Sequence, residues 1–132
     1  MIRPVPQPGF WQRRSAGRAP PPIERRTHIA IADLLRIACR PGWWWSHIPS
    51  GEYRTDKTGA LLQRMGLRRG MSDFLFVGPA GQHCWLELKR GRAPLTGEQE
   101  AFTEHLHQCG VPYHVARDYQ SAVNQLKEWG VL

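Results

Sequence analysis

Apolar positions change period several times along this chain, and each change marks an element. Glu24, His28, Ile31 and Leu35 recur at helical spacing on one face, and Pro41-Gly42 closes the run, which predicts a helix over 23–39. Residues 43–48, Trp-Trp-Trp-Ser-His-Ile, are aromatic and strand-like and end at Pro49-Ser50-Gly51. Residues 58–65 read as a short helix stopped by Gly66. The run Ser72-Asp73-Phe74-Leu75-Phe76-Val77 reads as a buried strand, Gly78-Pro79-Ala80-Gly81 as a hairpin turn, and His83 to Leu88 as the returning strand. Thr96 and Gln99 fit a capping box, with Leu95 as its staple. The helix they open carries Gln99, Phe102, Leu106 and Cys109 on one face and stops at Gly110. Val111 to Ala116 is a short strand. Asp118 caps a last helix with Ala122, Val123, Leu126 and Trp129 turned inward.

This order predicts an α/β fold, a mixed β-sheet flanked by helices. The turn at 78–81 makes its two strands antiparallel, and the strand–helix–strand unit over 83–116 is a parallel crossover. Residues 1–20 are rich in Pro, Arg and Gly without an apolar period and are expected to form a disordered basic arm; residues 21–132 are expected to form one domain. A chain of 132 residues with 41% hydrophobic and 22% charged residues has enough apolar material for a core, which excludes wholesale disorder, collagen and coiled coil. No stretch approaches the ~20 apolar residues of a membrane span. The N-terminal residues lack the apolar run of a signal peptide, so a cytoplasmic location is expected. Cys39, Cys84 and Cys109 are widely spaced and odd in number, and read as reduced core thiols.

Charge narrows the choice of partner. Eighteen Lys and Arg against eleven Asp and Glu give a net charge of +7, which favours a polyanion, nucleic acid above all. Arg3, Arg13, Arg14, Arg18, Arg25 and Arg26 crowd the first segment against Glu24 alone. A second basic stretch holds Arg54, Lys57, Arg64, Arg68 and Arg69, with Asp56 against them.

Strand alternation then brings chemistry together. Trp85, Glu87 and Lys89 point to one face of the returning strand, Leu86 and Leu88 to the other. On the hairpin partner Asp73, Leu75 and Val77 share a face. The start of one antiparallel strand lies beside the end of the other, so Asp73 is expected to approach Glu87 and Lys89. Each of these three residues alone is more often a solvated strand terminus than a catalytic group. Two carboxylates at the end of an apolar hairpin are costly unless a cation sits between them, and a divalent metal and an ammonium group meet that need. Mg²⁺ takes oxygen ligands and retains waters. It acidifies a bound water and stabilises charge at phosphorus, while a neighbouring lysine orients the attacking water. The predicted chemistry is phosphodiester hydrolysis.

The segments Gly70-Met71-Ser72-Asp73 and Leu86-Glu87-Leu88-Lys89 resemble the PD-(D/E)XK nuclease signature. Together with Glu24, His47-Ile48-Pro49-Ser50-Gly51-Glu52-Tyr53-Arg54, Gly66-Leu67-Arg68-Arg69, Leu95-Thr96-Gly97-Glu98-Gln99 and Gly110-Val111-Pro112-Tyr113-His114-Val115, the pattern resembles the VRR-NUC branch over about residues 23–128. The resemblance implies a restriction-endonuclease-like core and a nuclease using Mg²⁺ or Mn²⁺. It implies Asp73, Glu87 and the Leu88 backbone carbonyl as metal ligands, with Glu24 reaching the metal or its waters. Lys89 would position the water and Gln99 would line the site. Branched DNA of the Holliday-junction kind, a homodimer, and a bacterial or phage setting are implied as well. Ser72 departs from the family's usual proline, and Ser50 stands where asparagine is common.

Several assignments stay open at this level. Gln99 fits a capping box as well as a site, and Glu24 fits the helix dipole as well as a metal. His47 reads as a strand-end polar residue or a phosphate contact. The three tryptophans can pack or stack on bases. A non-catalytic DNA-binding module and an RNA-directed nuclease are the rival functions. Nucleic-acid contacts are expected from His47, Ser50, Arg54, Lys57, Arg68, Arg69 and Arg90, giving salt-sensitive affinity without sequence readout. Cys84, Cys109, His105, His107 and His114 lack zinc-ligand spacing, so no zinc is expected.

Overall fold

A computed structural model describes residues 22–50 and 55–132. The expected arm at 1–20, and Arg54, lie outside the described residues. The elements run α1 (Pro22–Ala38), β1 (Trp44–His47), α2 (Asp56–Arg64), β2 (Phe74–Val77), β3 (His83–Leu88), α3 (Gly97–Gln108), β4 (Tyr113–Ala116) and α4 (Tyr119–Glu128). The strands form one sheet in the order β1-β2-β3-β4. β1 pairs with β2 and β2 with β3 antiparallel, and β3 pairs with β4 in parallel through α3. This is the expected mixed sheet with flanking helices. Among the described residues, no helix is long and apolar enough to cross a membrane.

Alternation sorts the hairpin into two faces. Phe74 and Phe76 from β2, and Cys84, Leu86 and Leu88 from β3, form the core with Ile31 and Leu35 of α1 and Ala122, Val123 and Leu126 of α4. Phe74, Phe76 and Leu86 are wholly buried. On the opposite face, Trp85 meets Phe102 of α3 edge to face, with ring centroids 5.0 Å apart. Burying a large aromatic residue stabilises by roughly 1.5–3 kcal/mol, so these positions determine the register and hence which residues reach the strand ends.

Local signals account for the helix boundaries. Thr55 caps α2 and Asp118 caps α4, each accepting a backbone N–H three residues on. Thr96 opens α3 with a complete capping box: its hydroxyl accepts from Gln99 N, and the Gln99 side chain accepts from Thr96 N. The hairpin turn is a short 3₁₀ turn at Pro79–Gly81. Gly78 lies under the Trp43 ring, where a Cβ would stand 2.6 Å from a ring carbon.

One expectation about packing is corrected, that all three cysteines lie in the core. Cys84 alone of the three cysteines is buried; Cys39 is half-buried, and Cys109, the C-cap of α3, is exposed. All three are free thiols. The tryptophans divide by strand alternation: Trp43 and Trp45 pack against the core, while Trp44 is 79% exposed.

Candidate functional site

The hairpin ladder of β2 and β3 pairs Phe74 with Leu86 and Leu75 with Trp85. Continued by one residue, this register sets Asp73 opposite Glu87. The two carboxyls interlock the strands there. Asp73 Oδ2 accepts the Leu88 N–H at 2.8 Å, and the Glu87 carboxyl accepts a hydrogen bond from the Asp73 backbone N–H. Side chains thus take over from the backbone ladder where β2 begins, and both acids are held in place by it.

Asp73 is anchored on its other side as well. Its carbonyl oxygen accepts the Ile48 N–H at 2.8 Å and a hydrogen bond from His47 Nδ1 at 2.9 Å. β1 therefore pins the backbone of Asp73 while β3 pins its side chain. Ser50, just beyond β1, donates its hydroxyl to the Met71 carbonyl at 3.1 Å, tying its loop to the one that leads into Asp73.

Glu87 is buried, with 4% of its surface exposed. Gln99 reaches it from the first turn of α3, donating from Nε2 to Glu87 Oε1 at 2.9 Å. The amide oxygen of the same side chain closes the capping box on Thr96 N, also at 2.9 Å. The two ends of the Gln99 amide thus have separate partners, Oε1 in the cap and Nε2 on Glu87.

The protonation of the pair reflects its setting. Burial pushes the Asp73 carboxyl up to about 6, and the Glu24 charge adds to the rise. The Leu88 N–H, His47 and Lys89 pull the other way. Burial also pushes Glu87 up, to about 9, helped by the Asp73 charge and then Glu24, and opposed by Lys89 and the Asp73 N–H. Two desolvated acids share one strand edge, and the Asp73 charge disfavours ionisation of Glu87. Lys89 and Glu24 are both close enough to act on both acids. The juxtaposition expected from alternation is present.

This donor set fits a hard divalent cation. Asp73, Glu87 and Glu24 offer carboxylate oxygens, and a cation between them would offset both the burial and the mutual repulsion. Lys89 is half-buried beside them. Among the expected nucleic-acid contacts, Lys57, Arg68, Arg69 and Arg90 are exposed. Arg68 and Arg69 lie in the loop leading to Asp73, and Arg90 follows Lys89 directly. His47 is half-buried in the site itself, next to Asp73.

One neighbour escaped the sequence reading as a site residue. His28 lies one turn after Glu24 on α1, its ring 4.5 Å from Phe74 and 4.4 Å from His47. The inward face of α1 is legible in the sequence; the arrival of a histidine from β1 beside it is not.

No protein-family model and no curated protein matches this chain. Solved structures do. A chain described as a VRR_NUC domain protein superposes with a TM-score of 0.64 at 18% identity, over 80% of this chain and 86% of that one. Another, described as a VRR_NUC domain, gives a TM-score of 0.49 at 17% identity over 80% and 90%. The first likeness is one of fold: this chain has the mixed four-stranded sheet and flanking helices of the VRR_NUC fold.

Proposed function

We propose that this chain is a divalent-metal-dependent nuclease that hydrolyses DNA phosphodiester bonds, with branched DNA as its preferred substrate. The observation that carries this reading is the interlocked pair Asp73 and Glu87 with Lys89 beside it. A pure DNA-binding surface gains nothing from buried acids where phosphates must lie. The fold shared with a VRR_NUC domain protein supports the same reading.

Asp73, Glu87 and the Leu88 carbonyl would hold the metal, Mg²⁺ or Mn²⁺, and Glu24 would bind it or its waters. The metal, when bound, supplies Lewis-acid stabilisation at phosphorus and an acidified water. Gln99 keeps the Glu87 carboxylate aimed by donating to one oxygen, which leaves the other for the cation. The Leu88 N–H does the same for Asp73. Lys89 orients the attacking water and meets the negative charge that grows on the phosphoryl oxygens. Exposed Lys57, Arg68, Arg69 and Arg90 hold the backbone through its phosphates, an affinity that falls with salt. Cutting both strands of a junction calls for two such sites, hence a homodimer, and the proposed setting is the cytoplasm of a bacterium or phage-infected cell.

The test is a cleavage assay on plasmid, flap, four-way-junction and RNA substrates with Mg²⁺, Mn²⁺ or EDTA. Cutting of DNA that needs the metal is expected. Asp73→Asn, Glu87→Gln and Lys89→Ala are each expected to lose at least about a hundredfold in rate while still binding DNA. Cutting in EDTA, or full activity in Asp73→Asn, would overturn the mechanism. Cutting of RNA alone would move the substrate, and DNA binding without any cutting would leave a binding module.

A further inference from the structure

Asp73 has a second set of neighbours that the nuclease reading does not use. A nitrogen of His28, a nitrogen of His47 and a carboxylate oxygen of Asp73 all lie within 4.8 Å of one another. The three come from α1, from the last residue of β1 and from the residue before β2, so the packing of three elements builds the cluster. All three side chains are half-buried.

The donor chemistry differs from that of the Asp73–Glu87 pair. Two imidazoles and one carboxylate suit late first-row ions, whereas Mg²⁺ favours oxygen alone. The orientation of His47 is set in the way metal-binding histidines usually are. A carbonyl oxygen can only accept, so the 2.9 Å contact to the Asp73 carbonyl requires the proton on Nδ1. In the neutral ring this places the lone pair on Nε2, and the hydrogen bond raises its basicity. His28 is steadied by its ring contact with Phe74, itself wholly buried. Metal–ligand bonds of about 2.0–2.2 Å set the ligand atoms of one ion within roughly 4 Å of each other. Small side-chain rotations would bring these three to that spacing.

We propose that His28, His47 and Asp73 form a second metal site, which takes a late first-row divalent ion, Zn²⁺ first among them, with its remaining positions open to water. The absence of zinc spacing noted among Cys84, Cys109, His105, His107 and His114 does not bear on this pair of histidines. On the nuclease reading, Zn²⁺ here commits the Asp73 carboxylate and opposes Mg²⁺. The existence of the site does not rest on that reading, and a binding measurement tests it separately from cleavage.

The experiment is calorimetric titration of the full chain with ZnCl₂, together with NMR of the imidazole nitrogens on the unaltered protein. One tightly bound Zn²⁺ is expected, with perturbed ring signals of two histidines, those lost in His28→Gln and His47→Gln. Each of these two variants is expected to bind at least about tenfold more weakly. His105 and Cys109 form a competing exposed pair, Nε2 to Sγ 3.5 Å, so Cys109→Ser is included and is expected to change nothing. Thermal melts establish that each variant is folded, and the NMR readout stands should one of them unfold. Absence of tight Zn²⁺ binding, affinity retained in both histidine variants, or affinity lost in Cys109→Ser would overturn the proposal.

Discussion

Gln99 donates to Glu87 across the gap between α3 and β3, at 2.9 Å, from the same amide that completes the cap of α3. The helix start and the acid are therefore coupled through one side chain. Gln99→Ala is expected to weaken metal affinity and cleavage by about 10–100-fold, the usual effect of losing a group that orients a ligand. Thr96→Ala removes the hydroxyl that caps Gln99 N but leaves the amide in place. It is expected to cost about 1 kcal/mol of stability with metal affinity unchanged. Denaturation curves and metal titrations of the two variants separate capping from positioning.

The raised carboxyls imply a pH-dependent stability of opposite sign to that of an ordinary salt-bridged acid. Folded-state values of about 6 for Asp73 and about 9 for Glu87 lie above those of the unfolded chain. Their contribution is fully present below the usual carboxylate range and is lost as pH rises through the folded values. In EDTA the melting temperature is expected to fall as pH rises from the usual carboxylate range to about 9, the folded value of Glu87. Mg²⁺ or Mn²⁺ is expected to raise it, and by more at the alkaline end. The double variant Asp73→Asn, Glu87→Gln is expected to flatten both trends. A metal-free melting temperature that climbs across this range would contradict the assignment.

Gly70 tests how tightly the loop before Asp73 is held. Its φ is +83°, and a Cβ there would run into the Glu98 backbone at the start of α3. Gly66 has φ +105° with nothing within 4 Å of a built Cβ. Gly66→Ala is expected to cost only the backbone penalty of about 1–2 kcal/mol. Gly70→Ala adds an overpacking cost of roughly 1–3 kcal/mol and displaces Asp73, so metal affinity should fall as well. Urea denaturation of both variants, with metal titration, measures the difference.

Phe74 ties the core to the site. It is wholly buried, contacts His28 and lies next to Asp73 in sequence. Phe74→Ala is expected to cost about 3–5 kcal/mol and to loosen His28. Val77→Ala, on the exposed end of the same strand, is expected to stay within about 0.5 kcal/mol. Chemical denaturation checks both.

Much of this molecule is legible in order along the chain. Helical spacing places Glu24, His28, Ile31 and Leu35 on one face, and the Thr96–Gln99 signal opens α3 where it is observed. Strand alternation around the turn after Val77 is enough to bring Asp73 to Glu87 and Lys89. These are local regularities, with period and turn chemistry written in neighbouring residues. The tertiary structure decided what depends on distant segments meeting. It let the Gln99 amide meet both Thr96 and Glu87, chose which face of β1 meets the core, turned Cys109 outward and set His28 against His47. Side-chain contacts of α1 with β1 and of α3 with β3 follow from how helices lie on the sheet, and that geometry is determined by the packing of the whole core around Phe74, Phe76 and Leu86.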